Sequence, residues 1–218
     1  MIVPLFPFRK RAMTRPREFD TDAVLTEAMD VFWRWGYEAT SVEDLTSATG
    51  LSRSSMYQAF GSKRGLFDRV LDRYLAGLGS MVGPLETGEP GLEGVLGFFD
   101  NWEHRVESSD VDETLGCLVV NSTAELAGRD VEMLAVAVAY RERLLAGFEA
   151  ALNRAAARRE LSRGEPAVRA RLLVAAVMGV FVASRGNHDR AAILAWIRAI
   201  RAEIETWRIE QPGPDEHP

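Results

Sequence analysis

The sequence is short of the residues that build covalent or metal cross-links. Cys117 is the only cysteine among 218 residues, so an intramolecular disulfide is excluded and a reducing compartment is expected. The histidines, His104, His188 and His217, are far apart and have no partner at metal-ligand spacing. We therefore expect no structural zinc ion and no cofactor.

Long apolar runs are also lacking. The longest, from Leu172 to Ala183, is well short of the roughly 20 residues that span a bilayer, and it favours a buried helix. Residues 1–12 do not follow the basic-then-apolar order of a secretory signal. The sequence therefore predicts a soluble, cytoplasmic protein without a membrane partner.

Signatures of catalysis are missing as well. The sequence has no nucleophile elbow, no glycine-rich phosphate loop and no metal-spaced histidine pair. These absences disfavour an enzyme, and we expect the protein not to be one.

Basic residues are in the minority, since the formal net charge is -6. The imbalance is uneven, because residues 1–77 carry 11 Lys and Arg against 10 Asp and Glu, whereas residues 78–218 carry 15 against 22. Phosphate binding depends on where positive groups cluster rather than on total charge. The first part of the chain therefore remains compatible with nucleic-acid binding.

Apolar residues recur at helical spacing along almost the whole chain, and no alternating strand pattern is found. The sequence predicts an all-α protein. The glycine- and proline-rich stretch 83–91 is expected to stop a helix and to form a domain boundary. Helices are expected at about 21–35, 42–49, 53–60, 63–78, 92–106, 114–127, 131–159, 166–185 and 189–207.

The segment Thr40–Phe60 has the pattern of a helix-turn-helix. Two short helices meet at Gly50, and each can be capped, the first by Thr40 or Ser41 and the second by Ser52. Small, hydrogen-bonding or cationic side chains point outward from the second helix, as is suitable for reading base edges in the major groove. These outward residues are Arg53, Ser54, Ser55, Tyr57 and Gln58.

This segment and its flanks resemble the DNA-binding domain of TetR/AcrR regulators. The shared positions are Gly36-Tyr37, Thr40-Ser41-Val42, Gly50-Leu51-Ser52-Arg53, Tyr57, Phe60, Ser62-Lys63 and Leu66-Phe67. The resemblance implies that Ser41, Ser52, Tyr57 and Lys63, with Thr40 nearby, contact phosphates of a double-stranded operator. It places Arg53, Ser54, Ser55 and Gln58 nearest the base edges.

The chain departs from the family pattern at Arg64-Gly65, after Lys63. The extra arginine is expected either to contact phosphate or to be solvated, and the glycine to loosen the turn slightly. With this resemblance, the expected domains are a flexible basic arm at 1–19, a three-helix helix-turn-helix domain with its connecting fourth helix at 20–82, a larger helical ligand-binding and dimerisation domain at 83–210, and a disordered tail at 211–218. The arm can also be a leader that precedes a start at Met13 rather than Met1.

The last helix carries a wide apolar stripe that needs a cover. Because the last two helices of TetR/AcrR regulators pair with their copies, the resemblance implies a homodimer, with burial inside the chain as the alternative. The stripe consists of Ile193, Trp196, Ile197, Ile200, Ile204 and Trp207.

The resemblance also implies that the larger domain binds a small-molecule effector that releases DNA. Aromatic, soft and a few polar side chains are candidates for the pocket, although each can equally belong to the core. The candidates are Phe98, Trp102, Cys117, Asn121, Tyr140, Phe148, Met178 and Phe181.

Two alternatives stay open. The motif Gly116-Cys117-Leu118 resembles one branch of the family and leaves open a thiol sensor at Cys117, against a small buried thiol. A ligand-independent DNA-binding protein is the other alternative.

Arg141 is expected either to pair with Glu125 or to bind an acidic ligand.

Overall fold

The computed structural model describes residues 19–88, 91–108, 115–162, 164–187 and 189–209. Over those ranges the chain is helical, with one isolated bridge between Leu161 and Arg208 and no other strand pairing, so the all-α prediction is confirmed. The helices are α1 (Thr21–Trp35), α2 (Val42–Thr49), α3 (Arg53–Phe60), α4 (Lys63–Thr87), α5 (Gly91–Ser108), α6 (Leu118–Leu126), α7 (Val131–Ala157), α8 (Pro166–Asn187) and α9 (Arg190–Glu205).

Some expectations lie outside the described residues. They are the basic arm with Arg9, Lys10, Arg11, Arg15 and Arg17, and the disordered tail at 211–218.

Helix α1 begins and ends where its capping residues predict. Asp20 accepts hydrogen bonds from the first-turn amides, and Gly36 follows the last residue with a φ of 83°. Near its end, Trp33 is buried while Trp35 is 67% exposed. This orientation turns Trp33 toward the larger domain.

Helix α4 runs further than the predicted end near residue 78, which corrects the expectation that the stretch 83–91 stops the helix at its start. The helix continues through Pro84 to Thr87. The residue before the proline is a glycine and lacks the Cβ that would clash with the ring. Leu85 is fully buried, and its carbonyl accepts a hydrogen bond of 2.5 Å from Arg154. Tertiary packing and carbonyl capping thus override a turn-forming composition.

The larger domain is built around α5 and α7, which pack against each other. Helix α9 covers the other side of α5, and α8 lies along α7. The shared core contains a cluster of aromatic rings, in which Phe98 lies 5.1 Å from Phe148 between ring centroids. Helix α4 packs on α1 and α3 and also on α7, so this one helix joins the small domain to the large one.

Helix α8 has one face in the core and one apolar face on the surface. By length and composition alone, residues 166–186 could cross a bilayer, but a core helix meets the same criteria, and 39% of the most apolar window is buried inside the molecule. Its exposed small and apolar residues alternate at spacings of four and three, a repeat typical of helix pairing. They are Val168, Leu172, Ala175, Gly179, Val182 and Gly186, and we call them the α8 seam.

Candidate nucleic-acid interface and effector site

Side-chain caps fix the reading head, by which we mean α2, α3 and the turn between them. Ser41 Oγ accepts from the Asp44 amide at 3.1 Å, and the Asp44 carboxylate accepts from the Ser41 amide at 2.8 Å. This reciprocal capping box and the left-handed Gly50 (φ 66°) set α2 and the turn. Ser52 Oγ then accepts from the Ser55 amide at 3.1 Å, so that α3 starts where the sequence predicts.

The side chains on the outward face of α3 do not pack into the core. Met56 of α3 and Leu45 of α2 are buried and hold the two helices together. Arg53 forms an exposed ion pair with Glu43 of α2. Of the α3 residues that were predicted to point outward, Ser55 is half-buried and the others are exposed, namely Arg53, Ser54, Tyr57 and Gln58.

Thr40 and Lys63 have a different environment from the one expected. The Thr40 side chain is 1% exposed and donates to the Gly36 carbonyl at 2.6 Å, so it has no surface for a phosphate, which corrects that assignment. Lys63 Nζ donates to the carbonyls of Tyr37 and Thr40, each at 2.8 Å, and lies 4.3 Å from the Tyr37 ring centroid. Lys63 therefore ties the turn between α1 and α2 to the start of α4.

Glu125, near the end of α6, binds that same turn from the larger domain. Its carboxylate accepts from the amide of Tyr37 at 2.9 Å and from the amide of Glu38 at 2.6 Å. Backbone N–H groups bound to a carboxylate make charge-assisted hydrogen bonds. Glu125 is therefore committed to the small domain and is not paired with Arg141, in contrast to one expectation.

Arg185 and Trp33 complete this grip on the end of α1. Arg185, on α8, donates to the carbonyls of Trp33 at 2.7 Å and Arg34 at 3.0 Å, where the helix leaves its last carbonyls unpaired. The Trp33 indole N–H donates to the Gly116 carbonyl at 3.1 Å. We call Glu125, Arg185 and Trp33 the interdomain clamp; no local sequence pattern predicted it.

Arg64 is neither solvated nor left facing outward for phosphate. It forms ion pairs with Asp68 on its own helix and with Asp130 and Glu132 at the start of α7. The hydrogen bond from Arg64 lowers the pKa of Asp130 and raises the pKa of the guanidinium. Both expectations for Arg64 are corrected, because its charge links α4 to α7.

Gly65 does not loosen the turn but permits it. A Cβ built at this position would overlap the carbonyl oxygen of Phe60, at the end of α3, well inside van der Waals contact. The close approach of α3 to α4 therefore requires glycine, which corrects the expectation of a slightly loosened turn.

The aromatic candidates for the effector pocket pack against one another. Phe98, Trp102 and Phe148 are at most 3% exposed, and the Phe181 ring lies tilted against Trp102 with ring centroids 4.8 Å apart. Because these four side chains are buried and in contact with one another, the core alternative applies to them. Asn121 donates to the Leu115 carbonyl at 2.8 Å and borders an open cleft between α1, α6 and α8.

Two cavities adjoin Tyr140. The first, of about 240 Å³, lies between α4 and α7 and is lined by Leu75, Val82, Val136, Leu144 and their neighbours; we call it the α4–α7 cavity. The second, of about 200 Å³, lies between α6, α7 and α8 and includes Met178. Of the predicted pocket residues, Tyr140 and Met178 thus border cavities in this region.

Cys117 is fully buried at the start of α6. Burial raises the pKa of the Cys117 thiol above its ordinary value. Because the thiolate is the reactive form, this environment favours the small-buried-thiol alternative over the sensor. The preceding Gly116 has a φ of 76°, and a Cβ there would lie 2.5 Å from the carbonyl oxygen of Phe181, so the motif has a packing reason.

The apolar stripe of α9 faces the inside of the chain. Ile193, Ile197 and Ile204 are at most 1% exposed and Trp207 is 8% exposed, because α5 covers this face. These four residues have almost no surface to offer a second copy, which corrects their assignment to a dimer interface. Ile200 is half-buried against the core and Trp196 is 37% exposed.

Two family models match the chain in succession. Residues 24–70 match the model described as bacterial regulatory proteins of the tetR family. Residues 91–200, about half of the 218-residue chain, match the tetracyclin repressor-like C-terminal domain. The chain belongs to the TetR family. The two matches fall on α1–α4 and on α5–α9, so the TetR-family assignment covers both domains.

Named relatives support the TetR-family assignment over part of their length. The chain is 52% identical over 66 residues to the HTH-type transcriptional repressor ComR of Escherichia coli strain K12, covering 30% of this chain and 31% of ComR. It is 35% identical over 122 residues to the HTH-type transcriptional regulator YezE of Bacillus subtilis strain 168, covering 56% of this chain and 62% of YezE. The chain thus spans less than two thirds of these curated relatives.

A solved TetR-family structure extends the likeness to both domains. A cysteine mutant of the regulator CifR, complexed with 26-base-pair operator DNA, is 30% identical with a TM-score of 0.73. That match covers 86% of this chain and 98% of CifR.

Proposed function

We propose that the protein is a DNA-binding transcriptional regulator, most simply a homodimeric repressor that releases a near-palindromic operator when a small molecule binds. The observation that carries the proposal is the capped, outward-facing α3, with Arg53, Tyr57 and Gln58 exposed and no role in the core. The operator DNA named for CifR and the repressor role named for ComR support it by analogy.

Helix α3 is proposed to enter the major groove. Arginine can read guanine and glutamine can read adenine, so Arg53 and Gln58 are the proposed base-reading residues, with Ser54 and Ser55 beside them. Arg53 must leave Glu43 to do so, at small cost because both side chains are more than half exposed.

The helix N-termini of the reading head are proposed to hold the DNA backbone. Ser52 lies at the start of α3, where amides beyond the cap and the helix dipole favour phosphate, and the exposed Tyr57 hydroxyl can donate to another phosphate. Ser41 is proposed to contact phosphate from the start of α2, although Glu43 and Asp44 stand in the same turn. Lys63 is proposed to act mainly by positioning, because two backbone carbonyls already bind its ammonium group.

The α8 seam is the proposed dimer contact. Leu172 and Val182 are each 60% exposed, and Trp196 of α9 adds a further exposed ring. A self-complementary surface of this kind suits a two-fold dimer, in which two α3 helices meet successive major grooves. The dimer contact thus moves from the α9 stripe of the sequence prediction to the seam of α8.

The interdomain clamp and α4 are the proposed route from effector to reading head. An effector held against α7 changes the position of α4, which carries Arg64 at its start and packs along α7. A ligand that prefers the arrangement with displaced reading heads shifts the population away from DNA.

Substitutions in α3 test DNA binding. We expect Arg53→Ala and Gln58→Ala to weaken binding to a selected operator by about 1–3 kcal/mol each, which is roughly fivefold to 150-fold, and to relax preference at single base positions. Arg141→Ala, which removes an exposed arginine from α7, is the matched control. Operator affinity is measured by fluorescence anisotropy. Equal affinities for the Arg53 and Arg141 variants would contradict the proposal that α3 reads the operator.

Substitutions in the seam test dimerisation. Leu172→Glu places a charge in the proposed contact, so sedimentation velocity is expected to report a monomer with weakened operator binding. Leu134→Glu is the control, because Leu134 is also exposed (44%) but belongs to α7 and is not one of the seam residues. A Leu172→Glu protein that remains dimeric contradicts the seam.

A further inference from the structure

Tyr140, which lines the α4–α7 cavity, carries a buried hydroxyl without a hydrogen-bond partner. Tyr140 is 5% exposed, and its hydroxyl makes no hydrogen bond of ordinary geometry. Its polar neighbour is the buried Cys117 thiol, which is only a weak donor and acceptor. Buried hydroxyls are nearly always satisfied, and leaving one unpaired costs free energy. Burial also raises the pKa of Tyr140, so the group is a neutral donor.

The rest of the cavity wall is apolar or already neutralised. Leu75, Val82, Val136 and Leu144 supply the apolar surface. The cation at its edge, Arg143, donates to the Glu86 carboxylate at 2.9 Å. A charged ligand would therefore have to displace an existing ion pair, whereas an uncharged one would not.

The size of the cavity limits the ligand. A dry cavity of about 150 Å³ admits benzene, and drug-sized ligands occupy about 300–1,000 Å³. At about 240 Å³, the α4–α7 cavity lies between these limits and suits a bicyclic or substituted aromatic compound.

We propose that the α4–α7 cavity binds an uncharged, mostly apolar molecule of bicyclic size with one hydrogen-bond acceptor, such as a ketone carbonyl, which receives the Tyr140 hydroxyl. That this molecule is the effector rests on the proposed function. Because this molecule would bind between α4 and α7, it would act directly on α4, the helix that carries Arg64 and follows the reading head in the chain.

Three probes of equal shape test the ligand class by isothermal titration calorimetry. They are 2-acetylnaphthalene, 2-isopropenylnaphthalene, which lacks the acceptor, and 2-naphthoate, which is charged. We expect the ketone to bind the full chain more tightly than the carboxylate. Tyr140→Phe should weaken ketone binding about tenfold and change hydrocarbon binding by less than about twofold.

The hydrocarbon is also the folding control for Tyr140→Phe. A second variant, Val136→Phe, fills the cavity and is expected to abolish binding of both neutral probes. The proposal is overturned if no probe binds the unaltered chain, if the carboxylate binds as tightly as the ketone, or if Tyr140→Phe affects both neutral probes alike. It is equally overturned if Val136→Phe still binds the ketone.

Operator release separates this inference from the proposed function. If the ketone binds through Tyr140 and yet leaves the selected operator bound, the effector role fails and the ligand site stands. If the operator is bound specifically and no probe enters the cavity, the ligand class fails and DNA binding stands.

Discussion

Replacing Gly65 by alanine tests the most crowded point of the reading head. The added Cβ would meet the carbonyl oxygen of Phe60, a backbone atom that no rotamer change can move aside. To admit it, the end of α3 must shift relative to the start of α4. Because α3 carries the proposed base-reading residues, the shift is expected to reach DNA binding as well as stability.

The size of the effect follows from two opposing terms. Replacing a helical glycine by alanine stabilises by about 1 kcal/mol, and overpacking costs about 1–3 kcal/mol. Gly77→Ala, further along α4, isolates the first term, since a Cβ there would have nothing within 4 Å. We expect Gly77→Ala to raise the free energy of unfolding by about 0.5–1 kcal/mol and Gly65→Ala to leave it, at best, unchanged or to lower it by up to about 2 kcal/mol.

Urea denaturation followed by circular dichroism measures both variants at constant m-value. Operator affinity, measured in parallel, is expected to fall for Gly65→Ala and to stay unchanged for Gly77→Ala. A Gly65→Ala protein as stable as Gly77→Ala would refute the reasoning, because the carbonyl of Phe60 would then be free to move at no cost.

Three further changes probe other contacts. Trp33→Phe removes the donor to the buried Gly116 carbonyl and is expected to lower the free energy of unfolding by about 1–3 kcal/mol, whereas an unchanged urea midpoint contradicts that bond. Because Arg64 lowers the pKa of Asp130, the pair stabilises the folded state above the ordinary pKa of 3.8, and this stabilisation is lost as the pH falls through the lowered pKa. Asp130→Asn should reduce this acid-induced loss of stability, and the same dependence of stability on pH in both proteins argues against the pair. Cys117 is expected to react with a maleimide only after unfolding, and rapid labelling of the folded protein would restore the sensor alternative.

The reading head could be predicted from sequence because its signals are local. Ser41, Gly50 and Ser52 act on residues within three positions of themselves, and the bounds of α2 and α3 follow from them. Helix α4 was predicted too short because the contacts that stabilise its end come from α7, far along the chain. Arg154 donates to the Leu85 carbonyl, and Gly147 lets α4 pack closely at Leu85.

The candidate site in the larger domain was predictable only in outline. Ile197 and Leu172 are equally apolar in the sequence, yet the first is buried against α5 and the second is exposed. The clamp residues bind backbone groups far away in the chain: Glu125 binds an amide of the turn after α1, 88 positions away, and Arg185 binds a carbonyl at the end of α1, 151 positions away. A helical pattern identifies an apolar face without saying which neighbour covers it.

Selection of bound sequences from random double-stranded DNA tests the central claim most directly. The account predicts an enriched near-palindrome with half-sites about one helical turn apart, and a loss of that enrichment for the Arg53→Ala, Gln58→Ala double variant. Absence of any enriched sequence with the unaltered protein, or the same enriched sequence with the double variant, would contradict it.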